Sequence, residues 1–383
     1  LYDLLYGAKE NRQQSGTLNL LTIHGIGATY PDYSAGLQRR LTKGLGLTRV
    51  VKKQKKISIL AKEDSSPLGE LRVTRYLDAS GNFQLLFHEL TWSVITRPYK
   101  EILNRDLNNR EAQLRAGANQ ALKAFVDDHL VDPTLYQGKE HEAILESASQ
   151  GMCWMLHHDW ETLPDEIAGR CRRAFSKDIL NNFDRHPNQK FAIITHSLGS
   201  QIVLDMLDRD LAAKQEWIKD TYQGHDRDSL MKVSGLLSEQ MLHVYMFANQ
   251  LVLLQLGAQP PEHTGKLEKF CNAGAENYDE RFLKKLSIIA FSDPNDLLSY
   301  GIPVDFADHF IDSRLCPEIT NIYVNVAPVI NLLGMGRITS PMAAHNNYES
   351  DQRVIGLITH GIGNNQVSPA VSDGCQWMET VEE

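Results

Sequence analysis

Lys190-Phe-Ala-Ile-Ile-Thr-His-Ser-Leu-Gly-Ser200 is the stretch on which the reading of this chain turns. Phe191 to Ile194 is a short uncharged apolar run, of the kind that fits a strand buried on both faces. Thr195-His196-Ser197-Leu198-Gly199 follows, with a small residue two positions to either side of the serine. Beyond it, Ile202, Val203, Met206 and Leu207 recur at helical spacing, with Asp205, Asp208 and Arg209 between them. Strand, tight turn through serine, then helix is the context of a nucleophile elbow. The turn needs small neighbours because strand and helix pass close there. The helix N-terminus lies under the hydroxyl and favours negative charge on it. A serine before a helix is most often only an N-cap; the flanking strand and helix favour the nucleophile.

The 383 residues suffice for one large α/β domain with insertions, and a single domain over 1–383 is the expectation. A net charge of −9 gives no broad positive field to gather phosphates, which argues against a nucleic-acid partner. The Lys52-Lys53-Gln54-Lys55-Lys56 run reads as a solvated turn between strands. Five cysteines are scattered without a C-x-x-C pair. That spacing speaks against zinc and a dense disulfide framework, and leaves room for one or two disulfides. No apolar run reaches the length of a membrane span. The first residue is Leu1 rather than Met, so an export signal or lipid anchor ahead of it stays open, and with it the compartment.

Leu18 to Ile23 reads as a strand running into His24-Gly25-Ile26-Gly27. Tyr33, Leu37, Leu41 and Leu45 then mark a helix. Ile57 to Leu60, Leu71 to Tyr76 and Phe83 to Thr91 are further strands. The segment 96–188 reads almost wholly as helix. Leu114, Leu122, Phe125 and Leu130 mark one helix in it; another starts near Pro164 with Ile167, Cys171, Phe175, Ile179 and Phe183 on its apolar face. A crossover needs only a dozen or so residues, so this is a helical insertion before the nucleophile strand. Within it Met152 to Trp160 is the most aromatic, apolar patch of the chain. It is either insertion core or a lid, with Trp154 and Met155 as an acyl-chain wall. Past the elbow helix, Lys214 to Ser234 reads as a polar surface loop. His243 to Phe247, Ser287 to Phe291 and Ile319 to Val326 are the remaining strands.

Alternating strands and helices around a serine elbow predict a mostly parallel central sheet flanked by helices. Here the chain resembles the α/β-hydrolase superfamily, in particular its lipase and esterase branches. The order in that family is serine, acid, histidine, with an oxyanion loop well before the serine. The resemblance covers 18 to 361 and rests on short motifs. It implies that His24-Gly25-Ile26-Gly27 is the oxyanion turn, with the N–H groups of Ile26 and Leu198 as donors. The acid is expected a few residues beyond a strand. Asp296 in Ser292-Asp293-Pro294-Asn295-Asp296 fits that place, and Asp293 beside Pro294 reads as a turn former. The histidine is expected on a loop after the last strand, where His345 stands. His360 before Gly361 has the position of a helix-end histidine.

With Ser197, Asp296 and His345 in these roles, the resemblance implies a serine hydrolase that forms an acyl-enzyme. The implied substrate is a carboxylic ester of an acyl lipid or another small molecule, handled without metal or cofactor, with peripheral membrane contact in the lipid case. The same triad would serve an amidase, peptidase or thioesterase. A catalytically silent binding module of the same fold is the reading from another class. His157-His158-Asp159 are adjacent rather than at i, i+4 spacing, which argues against a metal site.

Overall fold

In the computed structural model one sheet of eleven strands carries the whole topology. The structure describes residues 1–7, 13–27, 29–50, 54–107, 114–171, 177–220, 227–257, 259–332, 336–361 and 378–381. The strands are β1 (Gly16–Ile23), β2 (Thr48–Arg49), β3 (Lys55–Leu60), β4 (Pro67–Leu77), β5 (Phe83–Thr91), β6 (Glu166–Gly169), β7 (Gln189–His196), β8 (Met241–Phe247), β9 (Lys285–Ser292) and β10 (Pro317–Val324). A small hairpin, β11 (Ile330–Leu332) and β12 (Gly336–Ile338), stands apart, and β13 (Met378–Val381) closes one edge. The order is β13-β10-β9-β8-β7-β1-β5-β4-β3-β6, with β2 on β4. The run from β10 to β5 is parallel throughout; β4 is antiparallel to both β5 and β3, and β13 to β10. The sheet is therefore mostly parallel but mixed.

The two central strands show why the sequence folds this way. Every residue of β1 is buried, and so is nearly all of β7, because helices cover both faces. Side chains alternate between the faces. Leu21 and Ile23 pack with Ile193 and the helices His141–His157 and Gly199–Asp220. Leu18, Leu20 and Ile194 face the helices Tyr2–Tyr6, Ala35–Gly44 and Gln352–His360.

Several local expectations are corrected. Helix continues from the elbow to Asp220 and resumes at Arg227–Ser238 where a surface loop over 214–234 was expected; residues 221–226 lie outside the described set. The insertion is not wholly helical, since Glu166–Gly169 pairs in parallel with β3 and extends the sheet. The helix expected from Pro164 accordingly begins only at Lys177, and Phe175 lies outside the described residues. The segment from 114 to 130 forms a helix Gly117–Phe125 followed by a π-helical turn Val126–Leu130. The basic run does not end in a solvated turn either. Lys55 is buried, its ammonium on the Leu163 carbonyl and 4.8 Å above the Trp160 ring.

Two disulfides link Cys153 to Cys171 and Cys271 to Cys316; Cys375 lies outside the described residues. No helix among the described residues is long and apolar enough to cross a membrane.

Candidate active site

Ser197 follows β7 in a left-handed backbone conformation, φ +54°. That conformation costs a residue with a side chain of order 1–3 kcal/mol. It persists because both neighbours are fixed: Ser197 N–H donates to the Phe247 carbonyl at 2.8 Å, and the helix Gly199–Asp220 starts two residues on. Small residues are required where the chains meet. A Cβ on Gly199 would stand 2.6 Å from the Ile23 carbonyl oxygen, and one on Gly25 only 2.6 Å from Ser197 Cβ. No such demand falls on Thr195, whose hydroxyl is within 3.0 Å of Ser200 Oγ. This explains how the turn carries a threonine where a glycine is usual.

The loop His24–Gly27 thus lies against the elbow. His24 is held on both sides. Its ring stacks on Trp92 with centroids 4.6 Å apart, the Trp92 backbone N–H donates to Nε2, and the indole N–H donates to the His24 carbonyl. With Nε2 accepting, Nδ1 carries the proton and donates to the Gly25 carbonyl at 2.8 Å. Burial pulls this imidazole down to about 3, so it stays neutral. Among the hydrogen bonds of the described residues, the N–H groups of Ile26 and Leu198 have no acceptor.

Asp296 and His345 meet although 49 positions separate them. His345 Nδ1 lies 3.0 and 2.9 Å from the two Asp296 carboxylate oxygens, and both side chains are buried. The Nδ1 proton faces the carboxylate, which leaves Nε2 as the basic nitrogen. That nitrogen and Ser197 Oγ are both shielded from solvent and lack a hydrogen-bond partner. Oγ and Nε2 are not bonded to each other here. His196, next to the serine, places its ring 5.0 Å from that of His345 and its Nε2 2.8 Å from the His345 carbonyl oxygen. Burial draws it down to about 4, so it is a neutral donor that fixes the backbone of its neighbour across the turn. Asp293 faces away from this pair. One oxygen takes the N–H groups of Val326 and Ala327, the other that of Asn295. It ties the end of β9 to the end of β10.

Sequence reasoning missed three contributors. Glu89 at the end of β5 is buried and accepts the backbone N–H groups of Asp32 and Ser34 ahead of the helix Ala35–Gly44. Asp132, in the insertion, accepts from the Gly27 N–H at 2.8 Å. His196 fixes the His345 backbone, as described. Only the unusual Glu89-Leu-Thr-Trp92 strand end hinted at the first of these; nothing local marks the other two.

A cleft of about 320 Å³ adjoins the elbow, with Gly25, Ile26, His196 and Asn346 in its wall. Trp154 and Met155 take no part in it. Both are buried in the core on the helix His141–His157, which packs on β1, β4 and β5. Their packing places them in the main core with the central strands, so they form no wall of this cleft. His360 ends its helix before Gly361, whose φ is +76° and whose N–H returns to the Leu357 carbonyl. Among the described residues, Cys153, His157 and Cys171 alone have ligand atoms close enough for a metal ion, and two of the three are joined in a disulfide. No family model, curated protein or solved structure matches the chain.

Proposed function

We propose that the protein is a serine hydrolase of the α/β-hydrolase type that cleaves carboxylic esters with an apolar acyl part. The observation that carries this reading is the buried Asp296–His345 pair with a bare Nε2, next to a serine held at φ +54° before a helix. His345 Nε2 takes the Ser197 proton as Oγ attacks the ester carbonyl, then passes it to the leaving alcohol. Asp296 fixes the tautomer and stabilises the imidazolium without taking the proton. The developing oxyanion is met by the N–H groups of Ile26 and Leu198, each worth about 3 kcal/mol in the barrier. Water then releases the acyl group by the same route in reverse.

The apolar preference draws on exposed apolar side chains that neighbour the proposed site residues in sequence. Leu297, Met342 and Tyr30 are exposed by 71%, 38% and 62%. Leu297 follows Asp296, Met342 precedes His345 on the helix Pro341–Asn346, and Tyr30 follows the His24–Gly27 turn, so each stands close in sequence to a proposed site residue. A fluorophosphonate should label the protein at Ser197, and Ser197→Ala should abolish both labelling and turnover while leaving the melting temperature near the parent's. With p-nitrophenyl esters, kcat/KM should rise from acetate to octanoate, since each methylene against apolar surface gains up to ~0.8 kcal/mol. Equal turnover by Ser197→Ala would refute the reading.

A further inference from the structure

The insertion holds the oxyanion loop and the elbow helix from a single short helix, Val131–Tyr136. At its start, Asp132 Oδ2 accepts the Gly27 N–H at 2.8 Å and the Lys100 ammonium at 2.7 Å. At its end, the Tyr136 hydroxyl donates to Asp205 Oδ2 at 2.5 Å, and Asp205 sits on the helix Gly199–Asp220 that begins at the elbow. Asp132 and Tyr136 are wholly buried and the Lys100 side chain is 7% exposed. We propose that this helix is a clamp that sets the distance between the two N–H donors of the oxyanion hole, with Asp132 and Tyr136 as positioning residues.

Ile26 and Leu198 lie on separate loops, so nothing in the covalent chain fixes their spacing. The Gly27 N–H belongs to the peptide plane that follows Ile26. Pinning it to Asp132 fixes that plane, and the φ of +107° at Gly27 lets the loop turn back directly behind it. The Asp205 bond fixes the other side, since Leu198 stands immediately ahead of the helix Gly199–Asp220 that Asp205 anchors. A salt bridge buried this deeply is weak as a source of stability, because removing both charges from water costs about as much as their attraction returns. Its geometry is better accounted for as the support of a donor whose misplacement by about 1 Å costs on the order of 100-fold in rate.

The inference rests on the ester-hydrolase reading, and the experiment separates the two. Two double variants remove the buried charges together and differ in the acceptor for Gly27: Lys100→Met/Asp132→Asn keeps a carbonyl oxygen there, Lys100→Met/Asp132→Leu does not. Each is titrated with a fluorophosphonate, and kcat per labelled serine, KM and the affinity of phenylboronic acid are measured on an octanoyl ester. Boronate adds to the serine as a tetrahedral mimic of the transition state, so its affinity reports the hole directly. The Leu variant should lose about 10- to 100-fold in kcat, with KM within about twofold and boronate affinity down by the same factor. The Asn variant should recover at least about a third of the parental kcat. Tyr136→Phe should lower kcat and boronate affinity together by about three- to tenfold. A packing role alone would lower the melting temperature of both double variants and leave kcat per labelled serine alike in the two, which overturns the clamp. If the parent itself is neither labelled nor active, the hydrolase reading fails and the clamp with it.

Discussion

Asp293 and Asp296 belong to one loop after β9, yet they do different work, and the difference is measurable. Asp296 contacts His345 Nδ1 with both oxygens and also accepts the Leu298 N–H. Asp293 gives its oxygens to three backbone N–H groups and the Asn295 side-chain amide, and its own N–H donates to the hydroxyl of the buried Tyr348. Asp296→Asn should therefore favour the wrong imidazole tautomer and lower kcat by about 10⁴-fold, the size of the corresponding loss in the serine-protease triad, with little change in melting temperature. Asp293→Asn should do the reverse. A buried charge-assisted acceptor is worth about 1.5–3 kcal/mol, so the protein should melt lower while kcat per titrated serine stays close to the parent's. Kinetics and a melting curve on both variants decide the assignment. A larger kcat loss in Asp293→Asn would move the acid.

The helix His141–His157 is the element whose role changes most between pattern and fold. Its richness in Met and Trp invites a lid, but Gly151 lies against Leu90 and Leu21 of the central strands. Its apolar face packs on the sheet and on the helix Gly199–Asp220, and the Cys153–Cys171 disulfide ties it to the segment after β6. A lid must open and so must be locally weak. This helix is part of the main core. Trp154→Ala should accordingly cost about 3–5 kcal/mol of stability and depress turnover of short and long esters alike. Comparing acetyl and octanoyl esters alongside a melting curve checks it. A selective loss on the octanoyl ester with an unchanged melting temperature would restore the lid.

Across the whole molecule, buried titratable groups oppose one another. Burial draws His24 down to about 3 and His88 and His196 down to about 4. An unfolded histidine takes up its proton near 6.5. The unfolded chain therefore binds more protons between about 6.5 and 4, and the stability these groups contribute is lost as pH falls through that window. Asp208 works the other way. Burial first, then the nearness of Asp312 and Asp205, push it up to about 8 against the pull of Arg314. One of its oxygens is fully enclosed and has no hydrogen-bond partner. Its stabilising contribution is complete below the unfolded carboxyl value near 4 and is lost as pH rises toward 8. The histidines should therefore lower the melting temperature as pH falls from about 6.5 toward 4. Asp208→Asn should gain on the parent steadily from pH 5 to pH 8.5. A difference between the two that does not vary with pH would contradict this account.

What the sequence determined by itself was whatever a local pattern can encode. The uncharged run at 191–194 required a strand covered on both faces, and β7 is that strand. The helical spacing beyond Ser197 required the helix that follows it. That Ser197 directly follows one strand and Asp296 stands a few residues beyond another was legible too, because each follows a short apolar run that cannot stay in water; His345 comes instead on the helix Pro341–Asn346, well past β10. The tertiary structure alone decided which distant groups meet. That Asp132 would hold Gly27 across 105 positions, that His196 would bond the carbonyl of His345 across 149, and that 166–169 would become a strand depend on where the chain returns. A single carboxylate or imidazole carries no periodicity. Its role is set by desolvation and by whichever N–H or carbonyl the completed fold brings within reach.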